Sequence, residues 1–390
     1  MIELANRRSG RKRDAFIVFL MGLFVFSPLS SFITIDVLHL PLSLPEFLFV
    51  FFIPFFYKKF CPERINWKVF SCLILFWSAF VAISFISGDY TVFEIVGCSR
   101  TYLYIIIFFA IFFSNKNTDF RLMAFLSYGA IAGWCIDVII NLLTMTIGDK
   151  MMIGYGPMIA IPIALAYPAL NGQKMLCFLL FILCICIGIF GALRRVMFVS
   201  LAVYICLNIY FIIHDRRNRS KILGGCIVLV ICFVIAYPTI KELIHDYSWD
   251  LYVRVVLKSE DMFSGESNSG DETRTMVISD FFNSLHDYLV PRGFISKQYS
   301  TSDTGIFNDF PLTELSHTFG IALTFIFFLL YGLRSVFMMK EIDSGMISKS
   351  HIVFPLGFLT ICILVFMEGS FLTFPYQSIY TGYLLSGLSK

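Results

Sequence analysis

Twelve apolar stretches, each close to the length an α-helix needs to cross a bilayer, restrict this chain to one kind of environment. They run from Ala15 to Ile33, Leu38 to Phe56, Trp67 to Ser87, Ile95 to Phe113, Leu122 to Ile147 and Gly156 to Leu170. Six more follow at Met175 to Gly191, Val196 to Ile213, Ile222 to Ile240, Leu312 to Met338, Ile352 to Met367 and Phe371 to Leu388. Only 15% of residues are charged, against about 25% in soluble domains, so a water-soluble fold is excluded. The expected fold class is an all-α polytopic membrane protein with 11–12 transmembrane helices; the last is the least regular, being interrupted by Pro375. The basic cluster Arg7, Arg8, Arg11, Lys12 and Arg13 has the layout of a signal peptide. No small-residue cleavage site follows it, so the first stretch reads as an uncleaved helix.

Charge placement sets the expected orientation. With the N-terminus in the cytoplasm, alternation puts twenty Lys and Arg residues inside and only Arg100, Lys150, Arg194 and Arg195 in the short outer connections. That asymmetry satisfies the positive-inside rule. It divides the chain into an N-terminal bundle of about nine spans (1–240), one large outer loop with short helices (241–311), and C-terminal spans (312–390).

The loop holds twelve acidic residues against six basic ones, which argues against a nucleic-acid partner. Its carboxylates, together with Tyr247, Trp249, Tyr252, Tyr288 and Tyr299, suit a glycan. A flexible run, Ser264 to Gly270, ends at Asp271, a good helix N-cap. Val277, Ile278, Phe281, Phe282 and Leu285 then recur at helical spacing, which places Arg274 in a first turn. There it is either a solvated arginine or, with the helix N-terminus, a holder of an anion. Arg194 and Arg195 likewise either snorkel to lipid phosphates or grip an anionic substrate, for which the arginine fork is well shaped. After the Pro291-Arg292-Gly293 turn, Asp303, Asp309, Glu314 and His317 lie on the way into the tenth stretch. A carboxylate or imidazole among them could deprotonate a sugar hydroxyl.

Other chemistries find no foothold. The sequence has no P-loop, no zinc-type cluster, no serine-hydrolase elbow and no Asp-x-Asp pair to hold a metal for a nucleotide sugar, so neither metal nor cofactor is expected. Of eleven cysteines, ten fall inside apolar stretches, and Cys184 and Cys186 lack partners at metal spacing. Asp137 is the clearest charge deep in a span, a feature that would suit a lipid-linked sugar flippase.

Taken together, these features resemble the O-antigen polymerase (Wzy) family and the related O-antigen ligases. The resemblance rests on the dozen spans, Leu193-Arg-Arg-Val-Met-Phe after an outer connection, and Gly154-Tyr-Gly-Pro157. It also rests on Arg274 early in a loop helix, the Pro291-x-Gly293 turn, Asp303-x-Gly305, and Glu314 with Gly320. The ligases' His-Asn pair is replaced here by Phe307-Asn308-Asp309. The resemblance implies a GT-C-like glycosyltransferase in the bacterial inner membrane, N-terminus cytoplasmic, whose loop is periplasmic. Its implied donor is an undecaprenyl-pyrophosphate-linked oligosaccharide. Arg194, Arg195, Arg274 and Arg292 would hold the pyrophosphate, and Asp303, Asp309 or His317 would serve as base. A chain-length regulator and a flippase of the same pathway would be its partners, alongside membrane lipids; a ligase or the flippase itself are the alternative readings.

Overall fold

The computed structural model describes residues 2–25, 34–37, 40–43, 50, 52–58, 65–88, 91–114, 120–143, 157–190, 195–214, 219–247, 249–257, 278–294, 310–367, 372 and 377–389. Among them the protein is helical, apart from one two-stranded hairpin. Six helical segments among the described residues are long and apolar enough to cross a membrane: Trp67–Ser87, Val92–Phe113, Phe120–Ile140, Val196–His214, Ile321–Asp343 and Lys349–Met367. The chain is thus a multi-pass helical membrane protein.

Helix α1 (Ile2–Val25) starts ahead of the basic cluster, runs through it and packs along α4 (Phe120–Leu143), the most extensive helix pair among the described residues. Two glycines make this possible. A Cβ on Gly129 would lie 2.0 Å from the carbonyl oxygen of Phe19, and one on Gly22 would lie 2.3 Å from that of Leu126. The two backbones touch, which is how membrane helices gain packing where lipid removes the hydrophobic incentive.

The stretch expected as the second span departs from the helical pattern. Strand β1 (Thr34–Val37) pairs antiparallel with β2 (Leu40–Ser43), in register from Thr34↔Ser43 to Val37↔Leu40, and helix resumes at 52–58. Pro41 explains the change: it would break a helix interior but is tolerated in a strand with an unpaired edge.

Helices α2 (Trp67–Ser87) and α3 (Val92–Phe113) form an antiparallel pair. A capping box starts α3: the Thr91 hydroxyl accepts from the Glu94 N–H at 3.3 Å while the Glu94 carboxylate accepts from the Thr91 N–H at 2.8 Å. Arg100, expected in an outer connection, lies two turns inside this helix. Helix α5 (Ile161–Leu170), led by a 3₁₀ turn at Met158–Ala160, is apolar on every side and almost wholly buried, as such a helix must be. Around it stand α4, α6 (Lys174–Phe190), α7 (Arg195–His214) and α11 (Val353–Met367). Helix α8 (Arg219–Tyr247) runs past Ile240, where the apolar stretch ends, into the expected loop.

The run expected as one span over Leu312–Met338 is two helices. Short α9 (Pro311–Phe319) ends at Gly320, whose φ of 79° lies in the left-handed region, and α10 (Ile321–Asp343) continues from there. The chain closes with α12 (Ser378–Leu385), packed against α3 through Gly382, where a Cβ would meet the Phe108 Cβ at 2.8 Å.

Candidate functional site

Helix α9 is built inside out. Its polar side chains Thr313, Glu314, Ser316 and Thr318 are buried, while Leu312, Leu315 and Phe319 are only partly so. Burying polar side chains inside a membrane bundle is costly unless they find partners, and Glu314 finds one in Tyr102. Proline at the first position starts it without wasting a donor, and Gly320 stops it. A Cβ at Gly320 would press on Pro291 Cδ at 3.2 Å and on the Leu289 carbonyl at 3.3 Å, so the break and the Pro291–Gly293 turn determine each other.

That turn is stitched to α9 on one side and to the end of α2 on the other. The Arg292 N–H donates to the His317 carbonyl at 2.9 Å and the Gly293 N–H to that of Thr318 at 3.3 Å. The Phe294 N–H donates to the Ser84 hydroxyl at 2.6 Å, and the Ser87 hydroxyl donates to the Arg292 carbonyl. Gly293 has a φ of 81°, and a Cβ there would stand 2.3 Å from Ser84 Oγ and 2.6 Å from Ser84 N. Gly293→Ala therefore combines a left-handed penalty of about 1–2 kcal/mol with a backbone clash. It is expected to lower the thermal unfolding temperature of the detergent-solubilised protein and to loosen the turn that carries Arg292.

His317 Nδ1 lies 3.2 Å from the Gly293 carbonyl oxygen. A carbonyl only accepts, so Nδ1 carries the proton, and in the neutral ring the basic lone pair belongs to Nε2. Burial holds this imidazole below the usual histidine range; the Gly293 hydrogen bond works the other way, and the Arg292 guanidinium adds to the lowering. Arg292 is half exposed and 3.9 Å from Asp287, an ion pair of little energetic weight.

One turn away on α9, the Glu314 carboxylate accepts a hydrogen bond from the Tyr102 hydroxyl at 2.9 Å, both groups buried. Tyr102 is ten residues into α3, about 15 Å along its axis. Glu314 thus joins Asp137, also buried, as a carboxylate inside the bundle. The Tyr102 ring packs on Phe294 and Phe319, with centroids 5.1 and 5.6 Å away. Beside these rings a cavity of about 400 Å³ opens between α2, α3, α9, α10 and α12, walled by Leu73, Phe76, Phe294, Leu315, Phe319 and other apolar side chains.

Of the site residues expected from sequence, the structure brings His317 and Arg292 together. Arg195 opens α7. Arg194, Arg274, Asp303 and Asp309 lie outside the described residues, as does the expected start of the loop helix. Helical residues at 278–283 do place Phe281 in the core against Phe310, centroids 5.4 Å apart, while Phe282 faces out. Sequence reasoning missed Tyr102, Ser84 and Ser87, whose partners are more than 200 positions away. Among the described residues no three His, Cys, Asp or Glu side chains converge to hold a metal ion.

The fold and this site define a multi-pass helical membrane protein with an apolar cavity beside a buried Tyr102–Glu314 hydrogen bond. Comparison with family models, curated proteins and solved structures gives no match to the chain.

Proposed function

We propose that this chain is an O-antigen-type polymerase, a metal-independent membrane glycosyltransferase joining undecaprenyl-pyrophosphate-linked repeat units at the periplasmic face of the bacterial inner membrane. On this reading the bundle has about twelve spans in a GT-C-like arrangement, its N-terminus is cytoplasmic, and residues 241–311 form the periplasmic loop. The observation that carries the proposal is His317: a recessed histidine, fixed as the Nδ1–H tautomer by Gly293, beside an arginine presented on the same turn. A basic nitrogen next to a cation is what glycosyl transfer from a pyrophosphate needs.

In that reaction the terminal sugar hydroxyl of a new repeat unit attacks the anomeric carbon of the growing glycan. The new C–O bond forms, the bond from the anomeric carbon to the pyrophosphate oxygen breaks with its electron pair going to that oxygen, and His317 Nε2 takes the hydroxyl proton. Arg292, with Arg194, Arg195 and Arg274, stabilises charge growing on the leaving pyrophosphate. Asp303 and Asp309 are the other carboxylates that could take the proton. Lipid-linked glycan is the substrate, and a chain-length regulator and a flippase of the same pathway are the partners this reading calls for.

The test is the surface-polysaccharide ladder, by gel, of a deletion strain complemented with wild type or with Arg292→Ala. A polymerase leaves lipid A core capped with a single repeat unit on deletion, and wild type restores the ladder; Arg292→Ala is expected to shorten it. Polymer stranded on undecaprenyl pyrophosphate would show a ligase instead. Loss of even the capped unit, with repeats trapped inside, would show a flippase.

A further inference from the structure

Glu314 is not used in the reaction above, yet it lies half-way into the bundle, bonded to Tyr102 and one helical turn from His317. Side chains three apart on a helix are neighbours, about 5–6 Å between Cβ atoms. We propose that Glu314, held by Tyr102, receives the proton His317 collects, so that His317 and Glu314 form a proton relay leading from the reacting hydroxyl into the bundle. This rests on His317 being the base of the polymerase reaction.

The chemistry is balanced. Each transfer deposits one proton on His317 Nε2, because the pyrophosphate leaves as an anion. The imidazolium keeps its Nδ1–H on the Gly293 carbonyl and has a carboxylate within one turn. In a buried setting such a pair of charges is costly, and moving the proton from Nε2 to the carboxylate leaves two neutral groups. The Tyr102 hydroxyl holds the carboxylate in place by its bond to Oε1. When product has left, the proton returns through His317 to water, and the cycle closes without any co-reactant.

The surroundings leave few competing acceptors. The first half of α10 (321–330) has no ionisable side chain, and α11 has only Cys362. α3 carries Glu94, Arg100 and Tyr104, and Cys98 acts on Tyr102 from the preceding turn. α2 contributes Lys68 and Cys72 toward its other end, and α12 contributes Tyr380 and Tyr383. Arg292 faces His317 from the turn.

The experiment measures the initial rate of polymer formation from about pH 5 to 8, across the histidine range. It uses membrane vesicles of the deletion strain, which hold its own lipid-linked repeat units, complemented with wild type, Glu314→Gln, Glu314→Asp, Tyr102→Phe or His317→Asn. Glutamine still accepts the Tyr102 hydrogen bond, so thermal stability in detergent should stay as in wild type. The rate at the acidic end should fall about 100-fold, the lower end of what proton transfer contributes. The deficit should shrink as pH rises, because water then clears His317 unaided, and aspartate should recover part of the loss. A wild-type profile for Glu314→Gln, or a deficit equal at every pH, overturns the relay. Should the glutamine variant not accumulate, Tyr102→Phe decides: an alkaline-rescued deficit supports the relay and a wild-type profile overturns it. Unchanged polymer in His317→Asn sinks the underlying reading, whereas loss there with a wild-type Glu314→Gln profile sinks the relay alone.

Discussion

Polymer formation in His317→Asn is expected to fall about 10²- to 10⁴-fold, the contribution of a positioned general base, with the protein still accumulating in the membrane. Asparagine is the informative replacement. Its amide nitrogen sits where Nδ1 does and can donate to the Gly293 carbonyl, so the turn keeps its anchor while the basic nitrogen disappears. A ladder indistinguishable from wild type would remove His317 from the chemistry.

The pH dependence has a definite sign. His317 is held below its ordinary value of 6.5 in the folded protein, mainly by burial. The base therefore stays neutral and competent as pH falls through 6.5, and activity declines only further down. Stability moves in the same direction. Below pH 6.5 the unfolded chain takes up a proton that the folded one resists, so acidification through that window destabilises the fold, and the loss levels off below the folded-state value. Thermal unfolding of wild type and His317→Asn at two pH values separates this contribution from other titrations, since the variant should lose that part of the slope.

Gly129→Leu should have the largest effect on the fold itself. The added side chain would start 2.0 Å from a backbone oxygen of α1, which cannot rotate away, so the two helices must part along their whole crossing. Overpacking costs roughly 1–3 kcal/mol when a core can adjust, and a backbone-on-backbone contact puts this case at the upper end or beyond. Loss of a single sharp peak on size-exclusion chromatography in detergent, with a lowered unfolding temperature, is the expected outcome. Gly224→Ala is the control, because a Cβ there meets nothing within 4 Å. Equal behaviour of the two variants would show that the α1–α4 crossing is not a close contact.

Much of this fold can be read in the sequence, and the limits have physical causes. Helix α2 has the bounds its apolar stretch predicts, and the Thr91–Glu94 capping box is visible as Thr-Val-Phe-Glu. The hairpin at 34–43 is hidden because a short apolar run with β-branched residues has no periodicity that separates strand from helix. The break at Gly320 is hidden for another reason: hydropathy runs straight through it, and only contact with Pro291 selects the left-handed backbone. In the site, His317 and Arg292 are legible as polar residues at the edge of a span. The Tyr102–Glu314 bond is not, since nothing local links residues 212 positions apart. Ser84 and Ser87 look like ordinary small residues in a membrane helix until the turn that uses them is in place.

That wide separation also orders the protein's birth. Ser87 meets Arg292 across 205 residues, Tyr102 meets Glu314 across 212, and Ser378 reaches the Thr101 carbonyl across 277. At about 5–20 residues per second, α2 and α3 wait roughly 10–40 seconds in the bilayer before α9 is synthesised. During that interval Ser84 and Ser87 have only the Phe80 and Ile83 carbonyls of their own helix to bond, and the Tyr102 hydroxyl lacks Glu314. A chain stopped before Pro291 therefore has all of its early helices and none of the partners that Ser84, Ser87 and Tyr102 use, and supplying the missing C-terminal part as a second polypeptide is the way to ask whether the two halves can still find each other.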